Sequence, residues 1–140
     1  MRLNTNNIKE RIKGTFIEEL KIQIIEDDND KELLASMLVT KNLLQTASVL
    51  HGGATISLAE TVAGVASNIL CAENESAFGI QISANHVSHG LLGDTMLAKA
   101  TVVHLGRTTH LWNVDIHSQN TGKLVSSVKV TNIVIKKKEY

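Results

Sequence analysis

The chain has 140 residues, enough for one domain with a substantial core and too few for two ordinary domains. Fourteen Lys and Arg residues balance fourteen Asp and Glu residues, so no overall positive field exists to attract nucleic acid. No stretch approaches the roughly 20 apolar residues of a membrane span, and the first residues lack a signal peptide's apolar core. The single cysteine, Cys71, excludes an intrachain disulfide. We therefore expect one cytoplasmic domain over residues 1–140 that binds neither nucleic acid nor membrane.

The first part of the chain predicts a short helix followed by a β-hairpin. Ile8 and Ile12 share one helical face, and Gly14 would end that helix. From Phe16 onward most apolar residues share one parity, which indicates a strand. The predicted elements are a helix over 5–13, a strand over 16–26, a turn at 27–30 and a returning strand over 31–39.

Residues 52–71 predict the one long helix, and its composition is unusual. Between His51 and Ala72 the only formally charged residue is Glu60. A lone carboxylate in so apolar a helix requires an explanation, because burying an uncompensated charge is costly.

The start of this predicted helix carries two glycines, Gly52 and Gly53, directly after His51. Residues without side chains expose the backbone N–H groups of a helix start, which suit a carbonyl oxygen or an anion. Donors for an oxyanion together with a carboxylate form a set suited to acyl chemistry.

Four segments that alternate like strands follow the long helix. Short turns at Gly93-Asp94 and Asn120-Thr121-Gly122 predict antiparallel neighbours. One apolar helix and a run of antiparallel strands share a core if the sheet curls around the helix, so we predict an α+β fold. The predicted strands are 78–87, 95–104, 108–118 and 124–135.

This order of elements resembles the hotdog fold, a curved antiparallel sheet wrapped around one long central helix. Within that fold the chain is similar to acyl-CoA thioesterases of the phenylacetate-degradation type, which include 4-hydroxybenzoyl-CoA and 1,4-dihydroxy-2-naphthoyl-CoA thioesterases. The resemblance covers roughly residues 10–135. The residues that carry it are Leu50-His51-Gly52-Gly53, Leu58-Ala59-Glu60-Thr61, Asn85-His86 and His104-Leu105-Gly106-Arg107.

The resemblance implies a role for each matching residue. Glu60 is implied to be the catalytic carboxylate, either as general base on water or as nucleophile on the thioester. The N–H of Gly53 would polarise the thioester carbonyl, His51 would orient the thioester, and Gln45 would help to place the reacting water. The nucleotide of CoA would contact Val87, Ser88, His89, Gly106 and Arg107. No cofactor or metal is expected, since CoA enters as part of the substrate.

One position departs from the family pattern. Several relatives carry Ser or Thr four residues after the catalytic carboxylate, and this chain has Gly64. Because a hydroxyl there helps to hold water or substrate, an alternative function is a non-catalytic module that binds or senses acyl-CoA. The identity of the acyl group stays open, as does the choice between CoA and an acyl carrier protein.

Helix geometry predicts that one chain does not complete the site. The nine residues from His51 to Glu60 rise about 13.5 Å and rotate about 900°, which is half a turn out of phase. Glu60 and the Gly53 end would then face different ways and lie too far apart to hold one carbonyl. We therefore predict a homodimer with two composite sites. The resemblance implies the same arrangement, often doubled to a dimer of dimers, with a small-molecule acyl-CoA thioester as partner.

Other polar residues offer weaker candidates. A triad of Ser48, His51 and Asp94 can be written down, but no nucleophile-elbow motif supports it. His86 and His89 lie three apart on a predicted strand and face opposite sides, so they make poor joint metal ligands. The remaining histidines are interpreted as surface or packing residues.

Overall fold

A long apolar helix lies against a six-stranded antiparallel sheet in the computed structural model, which describes residues 4–25 and 31–138. The helices are α1 (Thr5–Arg11), α2 (Phe16–Glu19) and α3 (Gly52–Leu70), with a short 3-10 turn at Lys41–Leu43. The strands are β1 (Gln23–Ile25), β2 (Glu32–Leu38), β3 (Glu75–His86), β4 (Thr95–Leu105), β5 (Thr109–Ser118) and β6 (Leu124–Lys136).

Helix α3 confirms the predicted long helix and supplies the centre of the core. Small side chains alternate with larger apolar ones on its buried face, so the sheet approaches closely. Truncating a fully buried side chain such as Leu58 to Ala would cost about 2–5 kcal/mol. The buried residues of α3 are Thr55, Leu58, Ala59, Val62, Ala63, Val65, Ala66 and Ser67.

Alternate residues of the three long strands β4, β5 and β6 face this helix. On β5, for example, Trp112, Val114 and Ile116 are fully buried while the residues between them are partly exposed. Period-two alternation of this kind is what a sheet covered on one face requires. The strands predicted after the helix are therefore confirmed, each with its ends shifted by at most three residues.

Strand β3 does not occupy the place that its short connection to β4 predicts. The strand order is β1-β2-β4-β5-β6-β3, so β3 pairs with β6 and forms one edge of the sheet. Residues 87–94 cross from this edge to β4. Most of β3 is exposed in the single chain, which suits an edge rather than the middle of the sheet. The expectation that β3 and β4 are neighbours was wrong.

The predicted strand over residues 16–26 is also wrong in its first half. Residues 16–19 form the helical turn α2, in which Phe16 is 64% exposed and Leu20 packs into the core. Lys21, at a φ of 54°, ends this turn, and the strand begins only at Gln23. Apolar residues four apart fit a helical face as well as strand parity, which is why the pattern misled. The predicted turn at 27–30 lies outside the described residues.

The hairpin partner of β1 is as predicted. Strand β1 pairs antiparallel with β2, and β2 pairs in turn with β4. Across residues 4–25 and 31–138, no helix is both long enough and apolar enough to span a membrane.

Candidate active site

The start of α3 is capped by the side chain of His51, one of the residues expected in the site. His51 is the N-cap residue, and its Nδ1 accepts a hydrogen bond from the Gly53 N–H at 2.8 Å. The Gly53 N–H is therefore already engaged, contrary to the expectation that it faces a thioester carbonyl. The Gly52 N–H, one residue earlier, donates to no acceptor within the described residues. The donor that the helix start leaves open is thus that of Gly52.

The same hydrogen bond selects the tautomer of the neutral His51 ring. An Nδ1 that accepts a bond carries no proton, so the neutral ring has its proton on Nε2. His51 is exposed, and its Nε2–H makes no hydrogen bond within the described residues. The ring therefore offers one donor next to the open N–H of Gly52.

Gln45 lies at this same end of the helix. The loop before α3 folds back on itself, with a bridge between Leu44 and Leu50 and a bond from the His51 N–H to the Leu43 carbonyl at 2.9 Å. The side-chain Oε1 of Gln45 accepts from the Ala47 N–H at 2.6 Å. Its amide NH₂ group makes no bond within the described residues, so this loop positions a donor beside the helix start.

Glu60 lies two turns further along α3, against strand β3. A Cβ atom built on Gly79 would lie only 2.6 Å from Glu60 Oε1, so the carboxylate occupies space that a side chain at residue 79 would fill. Within the described residues Glu60 makes no hydrogen bond and no ion pair, and it is exposed in the single chain. The expectation of a carboxylate buried by its apolar helix was therefore wrong.

Gly79 is a site residue that the sequence analysis missed. A glycine inside a strand pattern signals a bulge or a close approach of another group. Both occur here, because the pairing of β3 with β6 shifts register between Gly79 and Gln81. That signal was visible in the sequence, but the group that approaches was not.

The contacts between α3 and β3 set the spacing of the site. The two elements run antiparallel, with Gly52 beside His86, Glu60 beside Gly79, and the Asn68 amide bonded to the backbone further back along β3. Eight residues of helix separate Gly52 from Glu60, a rise of about 12 Å. One chain therefore does not bring the open N–H and the carboxylate onto one carbonyl.

Gly53 and Glu60 do not face different ways, contrary to the expectation from the sequence. Gly53 precedes Glu60 by seven residues, which is about two full turns, so the two residues lie on the same side of the helix. Only their distance separates them, at about 10.5 Å along the axis.

The two segments expected to contact CoA lie at opposite ends of the sheet. Residues 87–89 follow β3, where the N–H groups of Val87 and Ser88 both donate to Val125 and the Ser88 hydroxyl donates to Leu124. Gly106 and Arg107 form the turn between β4 and β5, next to the beginning of β3. Nine residues of strand, or about 30 Å, lie between the two segments, so one chain does not bring them together.

A buried polar cluster beneath α3 was not foreseen. The Ser67 hydroxyl accepts hydrogen bonds from Trp112 Nε1 at 2.7 Å and Asn132 Nδ2 at 2.8 Å. With both lone pairs used, its proton points to His110 Nδ1, 3.1 Å away. Desolvation holds the pKa of His110 below its usual range. These four residues join α3 to two strands.

The triad of Ser48, His51 and Asp94 is not assembled. Asp94 is buried and accepts hydrogen bonds from the Ser118 hydroxyl and from neighbouring backbone N–H groups. Burial alone would raise the pKa of Asp94, but these hydrogen bonds outweigh it and the pKa lies below its usual value. None of these bonds reaches Ser48 or His51. Asp94 instead stabilises the turn before β4 and the turn after β5. Among the residues described, no group of three His, Cys, Asp or Glu side chains is arranged to hold a metal ion.

Comparison with known proteins identifies the family of this chain. Residues 47–125, more than half of the chain, match the family described as Thioesterase superfamily. The chain belongs to that superfamily. It is 35% identical over 127 residues to ComA2 of Bacillus subtilis, provisionally named an esterase, with 90% of this chain and 98% of that one covered. It is 32% identical over 124 residues to the 1,4-dihydroxy-2-naphthoyl-CoA hydrolase of Escherichia coli, with 88% of each chain covered.

The solved structures agree with the fold. The thioesterase HI1161 of Haemophilus influenzae matches with a TM-score of 0.90 at 28% identity, over 100% of this chain and 96% of that one. The chain thus has the hotdog fold predicted from its sequence, and it is a thioester hydrolase. Acyl-CoA thioesters in general are substrates consistent with this family.

Proposed function

We propose that the protein hydrolyses a small aryl- or acyl-CoA thioester to the free acid and CoA, with Glu60 as the catalytic carboxylate. The observation that carries this proposal is the state of that carboxylate. It is unpaired within the described residues, open to solvent and close to the backbone of Gly79. A carboxylate with no structural partner, in the fold of a thioester hydrolase, is free to act on substrate.

We propose further that each site is shared by two copies of the chain. The outer edge of β3 is twelve residues long and pairs with no strand among the described residues, and this strand exposes Phe78 and Ile80. Long unpaired edges favour pairing with another strand. Antiparallel pairing of β3 with itself about a two-fold axis between Ile82 and Ser83 would set Gly79 opposite the partner's end of β3, where His86 lies. Glu60 of one protomer would thereby approach the helix start of the other.

The same pairing gathers the two expected CoA segments. The beginning of β3, with the nearby turn of Arg107, would lie beside the partner's residues 87–89. An exposed guanidinium is a suitable contact for a phosphate of the nucleotide. The pairing thus supports the assignment of both segments to CoA, although they are far apart within one chain.

The chemistry follows from these positions. The Gly52 N–H polarises the thioester carbonyl oxygen, with the Nε2–H of His51 beside it. Glu60 either takes a proton from a water molecule that attacks the carbonyl carbon, or attacks that carbon itself. The second route breaks the C–S bond, releases the CoA thiolate and leaves an anhydride that water then opens. In either route the amide of Gln45 helps to place the water.

Thiol release from a panel of aryl, short, medium and long acyl-CoA esters tests this proposal, with Glu60→Gln beside the wild type. We expect kcat to fall about 10²- to 10⁴-fold in the variant. Glu19→Gln, at an exposed carboxylate on α2, is the matched control and should keep full activity. Equal activity in wild type and Glu60→Gln would remove Glu60 from the chemistry. An acyl carrier protein thioester, run in the same assay, decides between the two thiol carriers.

A further inference from the structure

A groove leads away from Glu60 along α3. It has a volume of about 390 Å³ and lies between α3, the first half of β3 and the two N-terminal helices. Glu60 and Gly79 stand at one end, and Ala72 and Lys137 stand at the other. Its length along the helix, from Glu60 to the end of α3 at Leu70, is about 15 Å. The groove is therefore elongated and has the carboxylate at one end.

The middle of the groove is apolar. Ile12, which directly follows α1, Ile17 of α2 and Val65 of α3 all line it. The one amide there, Asn68, has no N–H donor left for a ligand. Its Nδ2 donates to the carbonyls of Gly64 and of Ala77 at 2.8 and 3.0 Å, and its Oδ1 accepts from the Ala77 N–H at 3.0 Å. A ligand in this stretch would meet mainly apolar side chains and an amide whose N–H donors are both engaged, while Arg11 and Thr61 also line the groove.

Gly64 leaves the floor of the groove open. It lies one turn beyond Glu60, and a Cβ atom built on it would meet no atom within 4 Å. Nothing in the packing of the single chain therefore requires a glycine here, and glycine is unfavourable inside a helix. The empty space lies between the carboxylate and the apolar middle of the groove. A larger residue at this position would block the way from one to the other.

We infer that this groove holds the acyl group and that Gly64 admits its length, so the substrates are CoA thioesters of extended, mainly apolar acyl chains. The inference rests on the proposed function, because it places the thioester carbonyl at Glu60. The helix start and the CoA segments then bind the CoA side of the thioester. The acyl chain then runs past Gly64 between the isoleucines and Val65. A compact aryl group would leave most of the groove unfilled.

The experiment compares kcat/KM for butanoyl-, octanoyl-, dodecanoyl- and benzoyl-CoA in wild type, Gly64→Ala and Gly64→Leu. Wild type should prefer the longer straight chains over the butanoyl and benzoyl esters. Gly64→Leu should lower kcat/KM for dodecanoyl-CoA at least tenfold and leave that for butanoyl-CoA within about twofold, with Gly64→Ala between them. Alanine and leucine both favour helix more than glycine does, so the melting temperature should not fall. Lys129→Leu, which adds the same side chain at an exposed position on β6, should change neither substrate.

Two results would overturn the inference. One is an equal loss on short and long chains in Gly64→Leu with an unchanged melting temperature, and the other is no loss on any chain. Calorimetric binding of dodecyl-CoA, a thioether that cannot be hydrolysed, separates this inference from the proposed function. If no ester is hydrolysed but wild type binds the thioether and Gly64→Leu binds it at least tenfold more weakly, the groove assignment stands and the proposed catalysis fails. Equal binding by both proteins rejects the groove assignment.

Discussion

The two faces of α3 differ in how far one chain completes them. On the inner face, the Ser67 hydroxyl accepts two hydrogen bonds and donates one, and all three partners belong to the same chain. Within the described residues, the outer face carries a carboxylate without a partner, an open N–H about 12 Å away from it by helix rise, and a glycine at which an added Cβ atom would meet no other atom. A single helix thus keeps stability and chemistry on separate sides. We therefore expect substitutions on the two faces to change different measurements.

The largest effect is expected from mixing two inactive variants. Glu60→Gln removes the carboxylate, and Gly52→Val removes the helix start, because a Cβ at Gly52 would lie 2.7 Å from His86 Nε2. Each alone should lose about 10²- to 10⁴-fold in kcat. Unfolding both together and refolding them in equal amounts should recover about a quarter of wild-type activity, since half of the dimers are mixed and each mixed dimer keeps one intact site.

The control for this mixture is each variant refolded alone, which should stay inactive. If no activity returns although the mixed dimer forms, as a tag on one variant would show, the site lies within one chain. The outer face of α3 would then be complete without a partner.

The next largest effect is expected at Gly79. The methyl group of Gly79→Ala would occupy the place of Glu60 Oε1, so the carboxylate must move. A displacement of about 1 Å at a reacting group can cost about 100-fold, so kcat should fall about 10- to 100-fold. Adding Glu60→Asp, which shortens the side chain, should restore part of the loss. A rise in KM with an unchanged kcat would instead show that Gly79 does not position the carboxylate.

The inner face should respond in the opposite way. Ser67→Ala leaves the Trp112 N–H and the Asn132 amide without their acceptor, so the free energy of unfolding should fall by about 2–4 kcal/mol. Activity per folded molecule should change little. Urea unfolding followed by circular dichroism measures the first quantity, and thiol release measures the second. A Ser67→Ala protein of unchanged stability would mean that the cluster contributes nothing to folding.

The smallest effect is a pH dependence of stability that comes from His110. Desolvation holds the pKa of His110 below the usual 6.5, with Glu75 opposing this shift and His104 adding to it. The unfolded chain therefore binds a proton that the folded chain refuses, and stability falls as the pH drops below about 6.5. Asp94, whose pKa is lowered from 3.8, acts only in a more acidic range. Urea unfolding between pH 7 and 5 should show the fall in wild type and a smaller one in His110→Asn.

Local patterns predicted much of this fold. The long helix and strands β4 to β6 follow from apolar spacing that tertiary packing reinforces. The place of β3 could not be predicted, because strand order depends on how the sheet closes around the helix. The contact of Glu60 with Gly79 likewise depends on how α3 packs on β3. The pattern from Phe16 failed because four-residue spacing fits two structures.

The sequence indicated most residues of the candidate site, but it did not indicate how they are arranged. The sequence pointed to both glycines at the helix start, but the orientation of the His51 ring decides which N–H stays open. The polar cluster of Ser67 and Asn132 unites residues 65 positions apart, a distance at which no periodicity operates. The assignment of Glu60, Gln45 and the CoA segments stays a prediction.

The unpaired edge of β3 has a consequence for the use of the protein in dilute solution. If β3 pairs as proposed, an isolated protomer holds only half of each site. Specific activity then depends on the monomer–dimer equilibrium and therefore on protein concentration. Below the dissociation constant of the pair, activity per milligram would fall in proportion to concentration, although every chain remained folded. A substrate that spans both protomers would hold them together and delay that fall.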